Sequence, residues 1–185
     1  GGYELMSLGE ICKIRDNERK PISKQNRIKG IYPYYGANGI IDYIDDYIFD
    51  GTFILLGEDG SVINEDKTPV LNWATSKIWV NNHAHILEQL DNYNLRFIYY
   101  CLQVTDISNM VRGLPPKLNQ KNLKTILIPI PPLKTQEKIV NILDKFNTLT
   151  SDLTKGLPQE IDLRKKQYEY YREKLLTFKE IEALK

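Results

Sequence analysis

The chain has 185 residues, of which 42% are hydrophobic and 26% are charged. This balance supports a packed core and excludes a globally disordered chain. No apolar run approaches the roughly 18 residues of a membrane span. The two cysteines, Cys12 and Cys101, are far apart in the sequence, a pattern typical of a reducing compartment rather than of a disulfide framework. We therefore expect a cytoplasmic protein of one or two domains.

The net charge is +1, from 25 basic and 24 acidic residues, but the charges are unevenly distributed. Basic residues are concentrated in residues 13–29 and again in residues 110–124, whereas the charged side chains of residues 30–70 are mainly acidic. Clusters of lysine and arginine are needed to bind a polyanion, although charged runs also cover ordinary solvated surfaces. The charge pattern is therefore compatible with nucleic-acid binding without establishing it.

The first 130 residues contain short strand patterns separated by turn residues. A helix near residues 95–102 interrupts them, with Asp91 or Asn94 as its cap. The strands are predicted over residues 31–35, 40–49, 52–56, 77–80 and 126–130. Because most strands precede the helices instead of alternating with them, we predict an α+β fold.

The pattern changes after Pro131 and Pro132, where apolar residues begin to recur at spacings of three and four. These spacings predict two amphipathic helices. In the first helix the apolar positions are Ile139, Ile142, Phe146, Leu149 and Leu153. We expect a recognition domain over residues 1–132 and a helical region over residues 133–185.

The second helix is predicted to begin near Gln159 and to carry one narrow apolar stripe on a charged surface. The stripe consists of Ile161, Tyr168, Tyr171, Leu175 and Phe178. A narrow stripe of bulky residues favours a partner helix, so we predict a coiled-coil dimer seam here. A helical hairpin packed on its own domain is the alternative.

Motifs of enzyme active sites are missing from this sequence. It has no Walker loop, no nucleophile elbow and no G-x-G-x-x-G cradle. His83 and His85 lack further ligands at zinc spacing, so we interpret them as surface or turn residues. Asp59, Glu65 and Lys67 resemble the acids and lysine of metal-dependent nucleases, but Glu65 and Lys67 lie in a segment with turn composition. We therefore expect no catalytic residues, no metal and no cofactor.

Five segments resemble, in the same order, the specificity subunits of Type I restriction-modification systems. They are YPYYGANG at residues 32–39, DGTFILLG at 50–57, GLPPKLN at 113–119, LKTILIPIPPL with QEKIV over 123–140, and LPQEIDLRKKQYEYYR at 157–172. The resemblance implies a target-recognition domain followed by a spacer helix, without catalytic activity. Such a subunit reads double-stranded DNA, holds the subunits that methylate adenine, and joins the restriction subunit through the complex.

Members of this family usually contain two recognition domains and two spacer helices, whereas this sequence contains one of each. The resemblance therefore implies a half subunit. We expect two copies to form an antiparallel homodimer that reads a bipartite, palindromic site, with the helices setting the distance between its two blocks.

We expect the basic segments and the glycine-rich turn after residue 35 to contact DNA. Phosphate contacts need cations, and base edges need hydrogen-bonding side chains. The candidates are Arg15, Lys20, Lys24, Arg27, Tyr34, Tyr35, Asn38, Arg112, Lys117 and Lys121. Three alternatives stay open: a stand-alone metal-dependent nuclease, a single-stranded nucleic-acid binder that stacks bases on some of the twelve tyrosines, and a coiled-coil scaffold without a DNA role.

Overall fold

The computed structural model describes residues 2–152 and 158–177, without the side chains of residues 149–152 and 158–161. The chain divides into two compact units. One is Met6–Ile128, and the other combines Gly1–Leu5 with Pro129–Lys185. This division falls slightly before residue 132, where we expected the boundary, and it groups the first five residues with the helical region.

A six-stranded sheet forms the centre of the larger unit. Its strands are β2 (Cys12–Ile14), β3 (Lys29–Gly36), β4 (Gly39–Ile44), β5 (Phe49–Gly57), β6 (Leu71–Val80) and β7 (Ala84–Gln89). They lie in the order β2-β7-β5-β6-β3-β4, and neighbouring strands are antiparallel except β3 and β6, which are parallel. A separate two-stranded sheet consists of β1 (Glu4–Ser7) and β8 (Leu127–Ile130).

The helices are α1 (Leu8–Ile11), α2 (Leu95–Leu102), α3 (Gln120–Lys124), α4 (Leu133–Asp152) and α5 (Pro158–Leu176). Asn94 caps α2, because its side chain accepts the backbone N–H of Phe97 at 3.0 Å. This is one of the two predicted caps. The strand-rich unit and the C-terminal helices confirm the α+β class. In the described part of the chain, no helix combines the length and the apolar character needed to cross a membrane.

The core of the larger unit is built on β5. Phe53, Ile54, Leu55 and Leu56 are all fully buried, although successive residues of a strand point to opposite faces of the sheet. Such a run requires cover on both faces, as its continuous apolar sequence predicts. Helix α2 packs against β5. Each of these side chains contributes about 1.5–3 kcal/mol on full burial, so this run is a major source of stability.

Several boundaries differ from the prediction. Strand β5 begins at Phe49 instead of residue 52, and β6 begins at Leu71 instead of residue 77. Strands β1, β2 and β7 were missed. In β7, His85 occupies a buried position where a strand usually carries an apolar residue. This polar side chain obscured the strand pattern.

In the helical unit, α4 and α5 pack against each other. The rings of Phe146 and Tyr171 stack with centroids 5.3 Å apart and planes inclined by 20°. Tyr171, predicted for a dimer seam, therefore already has a partner within its own chain. Tyr168 and Leu175 are partly buried. Of the other apolar positions predicted for the two helices, Leu153 and Phe178 lie outside the described residues, as do the side chains of Leu149 and Ile161.

Along α4, Ile139, Val140 and Leu143 are buried, whereas Ile142 is 39% exposed. The predicted apolar position Ile142 is therefore not covered within this chain, and its place in a seam between helices stays a prediction.

Candidate nucleic-acid interface

Residues 112–117 form a tight hairpin, which we call the basic hairpin. The backbone N–H of Arg112 donates to the carbonyl of Lys117 at 2.9 Å, and the N–H of Lys117 donates to the carbonyl of Arg112 at 2.8 Å. Four residues, 113–116, form the tip. Gly113 has a φ of +87°, a left-handed conformation that glycine adopts without a steric penalty. The predicted loop at GLPP is therefore a defined turn.

Further backbone hydrogen bonds fasten the basic hairpin to the loop that follows β5. Gly60 donates its N–H to the carbonyl of Pro116 at 3.0 Å, and Leu118 donates to the carbonyl of Glu58 at 2.9 Å. The side chain of Leu118 is fully buried. A loop held in this way presents its side chains in one orientation, which reduces the entropy lost on binding.

The cations on and after the basic hairpin are available to a ligand. Arg112, Lys117 and Lys121 are exposed, and none forms a salt bridge with an acidic residue among those that the structure describes. Lys20 and Lys24 of the first basic segment are likewise exposed and make no salt bridge within residues 2–152 and 158–177. Five of the seven predicted cations are thus exposed and available to an external partner.

Arg15 and Arg27 are used inside the fold. Arg15 bonds Glu18 and also reaches Glu88, with 3.2 Å between Nη1 and Oε1. Arg27 bonds Asp42 at 3.2 Å, and this hydrogen bond helps to lower the pKa of the Asp42 carboxyl. Both guanidinium groups are partly buried and neutralised by carboxylates, so their structural role is to hold the surrounding segments.

Tyr34 and Tyr35 are also part of the fold rather than of its surface. Tyr34 is only 1% exposed, and its hydroxyl accepts the backbone N–H of Ile22 at 2.9 Å. Tyr35 is buried in the main core cluster. Tyr34 packs in a second cluster with Ile44 and Trp79. Asn38, in the turn between β3 and β4, is exposed and can reach a ligand.

A buried ionic cluster connects the two basic segments. His85 on β7 is fully buried, with Nδ1 2.6 Å from Oδ2 of Asp16 and Nε2 2.8 Å from the carbonyl oxygen of Leu118. Arg19 bonds Glu58 and lies 3.8 Å from Asp16. Asp16 and Arg19 belong to the first basic segment, and Leu118 follows the basic hairpin. The cluster thereby holds the two segments side by side.

Asp16 is the acceptor at the centre of this cluster. Burial by itself would raise the pKa of Asp16, but the hydrogen bond and charge of His85, the backbone N–H of Ile86 and the charge of Arg19 hold it below its usual range. The side-chain amide of Gln120 donates to the same carboxylate at 3.0 Å. Gln120 opens α3, so Asp16 also fixes the start of that helix.

Asp16, Glu58 and His85 are the one group of three potential metal ligands that lie within 4.8 Å of one another in the described residues. Arg19 already supplies a positive charge to both carboxylates, and both nitrogens of His85 face hydrogen-bond acceptors. This donor set therefore fits an ion-pair network better than a metal site. The interpretation of His85 as a surface or turn residue was wrong, whereas His83 is exposed.

Asp59, Glu65 and Lys67, the residues of the nuclease alternative, do not lie on a strand. Glu65 and Lys67 lie in an exposed turn, closed by a 2.9 Å hydrogen bond from the N–H of Asn64 to the carbonyl of Thr68. The predicted turn is thus confirmed. Asp59 follows β5 and pairs through its backbone with Lys117, which makes it part of the support of the basic hairpin.

Sequence reasoning missed the ionic cluster almost entirely. The cluster draws on three separate parts of the chain, which contribute Asp16 with Arg19, Glu58, and His85. Each of these residues looks like an ordinary surface residue in its local sequence. One signal was present. His85 is followed directly by Ile-Leu, and a histidine that begins an apolar run is a candidate for burial with hydrogen-bond partners.

The fold and this surface define a strand-rich domain that presents exposed cations on a fixed hairpin and is followed along the chain by a pair of helices. Residues 1–163 match the family model described as Type I restriction modification DNA specificity domain. The chain belongs to this family, as the motifs in its sequence indicated.

Curated relatives agree with this assignment. A putative type I restriction enzyme specificity subunit of Haemophilus influenzae is 43% identical over 183 residues, covering 96% of this chain and 47% of that protein. The EcoR124I/EcoR124II specificity subunit of Escherichia coli is 40% identical over 204 residues, covering 100% of this chain and 50% of that protein. The chain thus spans about half the length of these relatives.

Solved structures share the fold. The S subunit of a Type I restriction-modification system from M. genitalium superposes with a TM-score of 0.67 at 18% identity, over 83% of this chain and 41% of that one. The HsdS subunit from Thermoanaerobacter tengcongensis gives a TM-score of 0.59 at 20% identity, over 95% of this chain and 45% of that one. These structures confirm the predicted α+β fold.

Proposed function

We propose that this chain is a DNA-reading domain without catalytic activity, which binds double-stranded DNA through the basic hairpin. The observation that carries this function is the exposure of Arg112 and Lys117, which make no salt bridge in the described part of the chain. Both stand at the base of a hairpin closed by their own backbone hydrogen bonds. Cations at a fixed spacing bind phosphates with little loss of entropy, and family membership favours DNA as the polyanion.

The remaining candidates divide into two roles. Lys20, Lys24 and Lys121 are exposed and extend the phosphate contacts of the basic hairpin. Asn38 is exposed in a turn, and an asparagine amide can make two hydrogen bonds to an adenine edge in the major groove. By contrast, Arg15, Arg27, Tyr34 and Tyr35 hold these segments in place through the ion pairs and burial described above.

DNA recognition by this domain would serve other subunits. In our proposal, the bound chain positions an adenine-methylating subunit and, through the complex, a restriction subunit, all in the cytoplasm. Catalysis then belongs to those subunits. The names of the relatives, which are specificity subunits of type I restriction enzymes, support this division of labour.

One recognition domain reads one block of a bipartite site, so a second domain must read the other. We propose that a second copy supplies it through an antiparallel homodimer along α5. Leu163 and Tyr170 of α5 are 67% and 59% exposed, which leaves large apolar side chains available to a partner helix. A two-fold pair would read a palindromic sequence around an unread spacer of constant length.

Titration of the full chain with random-sequence duplex DNA at several salt concentrations tests DNA binding. The logarithm of affinity should fall linearly with the logarithm of salt concentration, by about 0.9 for each phosphate contact. Absence of duplex binding, even with the methylating subunit present, would contradict the function. Cleavage of plasmid by the chain alone in magnesium would favour the nuclease, and tighter binding to single strands would favour the single-stranded alternative.

A further inference from the structure

Leu114, at the tip of the basic hairpin, is 97% exposed, which is the largest value among the bulky apolar side chains that the structure describes. A single exposed leucine on a mobile loop needs no explanation. This loop, however, is closed by the two hydrogen bonds between Arg112 and Lys117 and fastened through Gly60. The fold therefore holds a leucine side chain fully in solvent on a rigid support.

The tip that carries Leu114 has no polar side chain. It consists of Gly113, Leu114, Pro115 and Pro116, and the two prolines also lack a backbone N–H. No side chain of this tip can read a base edge by hydrogen bonding. What it can offer to DNA is an apolar surface of fixed shape.

The charges around the tip indicate where that surface would go. Arg112 and Lys117 are paired across the hairpin, so an exposed cation flanks Leu114 on each strand. When these cations bind phosphates, the tip between them points toward the base pairs. Leucine between phosphate-binding cations is a known means of separating stacked bases from the minor-groove side.

We propose that Leu114 inserts between two adjacent base pairs as an apolar wedge, while Arg112 and Lys117 bind the phosphates on either side. This role rests on the DNA binding proposed above and adds a source of specificity to it. Pyrimidine–purine steps unstack most easily. The wedge therefore favours sites with such a step at the position of Leu114, without a hydrogen bond to any base.

The test uses the full chain alone, so that base flipping by a methylating subunit does not contribute. Duplexes that the wild-type chain selects from a random-sequence library are resynthesised with 2-aminopurine at each adenine in turn. This base fluoresces more strongly when it is unstacked. L114A removes the wedge and L114M keeps a long apolar side chain, while L127A makes the same leucine-to-alanine change at an exposed position of β8.

Wild-type chain, L114M and L127A should brighten 2-aminopurine at one step of the selected duplex. L114A should bind about tenfold more weakly and without brightening, but with an unchanged salt slope because its phosphate contacts persist. L114A and L114M should melt at the wild-type temperature, since Leu114 is 97% exposed.

Two results would overturn the wedge and leave DNA binding intact: brightening by L114A equal to that of wild type, or no brightening at any position although the wild-type chain binds. If the wild-type chain selects no duplex by itself, the wedge is overturned. If it selects none with the methylating subunit present either, the DNA-binding function is contradicted as well.

Discussion

His85 and Asp16 form a buried pair, with the imidazole Nδ1 2.6 Å from the carboxylate oxygen Oδ2. The other ring nitrogen, Nε2, lies 2.8 Å from the carbonyl oxygen of Leu118. Both ring nitrogens therefore face hydrogen-bond acceptors inside the core. As a result, this buried pair joins the first basic segment to the chain that leaves the basic hairpin.

H85A should lower the free energy of unfolding by about 3–5 kcal/mol, because it leaves the Asp16 carboxylate buried without its main partner. Urea denaturation followed by circular dichroism measures the change. H83A is the matched control, since His83 is exposed and its loss should change stability by no more than about 0.5 kcal/mol. Equal effects of the two substitutions would show that the cluster contributes little.

The free energy of unfolding should decrease at acidic pH because of Asp16. Its pKa is lowered in the folded chain, whereas in the unfolded chain it titrates near 3.8. The stabilisation is fully present above the unfolded-state value and is lost as the pH falls through the lower folded-state value, since the unfolded chain then binds more protons. Urea midpoints measured from about pH 6 to about pH 3 should show this decrease. D16N, which lacks the titrating group, should give a shallower decrease; an identical profile would contradict the assignment.

The double variant R112A/K117A should bind duplex DNA more weakly and with a smaller salt dependence. Each lost phosphate contact reduces the slope of log affinity against log salt by about 0.9. Fluorescence anisotropy at four salt concentrations measures both quantities. K138A/K165A removes the same charge from exposed positions of α4 and α5. If the two double variants reduce the slope of log affinity against log salt equally, the basic hairpin has no special role in binding phosphates.

L163E/Y170E should abolish self-association through α5, because it places charges where a partner helix would bury apolar side chains. Sedimentation velocity over a range of concentrations gives the oligomeric state. K165E alters the charge of the same helix at an exposed residue and should leave association unchanged. A wild-type chain that stays monomeric at every concentration, with and without the methylating subunit, would contradict the homodimer.

Much of the architecture could be predicted from the sequence. The buried run in β5, the Asn94 cap and the turn at GLPP depend on neighbouring residues, and local sequence encodes such features directly. The family resemblance could also be recognised from the sequence, because each of its motifs is a continuous stretch of residues. Strand β7 was missed since a buried histidine interrupts its apolar pattern.

The tertiary structure alone decided which candidate side chains can reach a ligand. In sequence, Arg15 and Arg112 are both arginines in basic segments, but the fold brings Glu88 to Arg15 and brings no acidic partner to Arg112 within the described chain. Likewise, Asp16 and His85 lie 69 positions apart and still form one pair. Pairing and burial depend on distances between residues that are remote along the chain, and local periodicity carries no information about those distances.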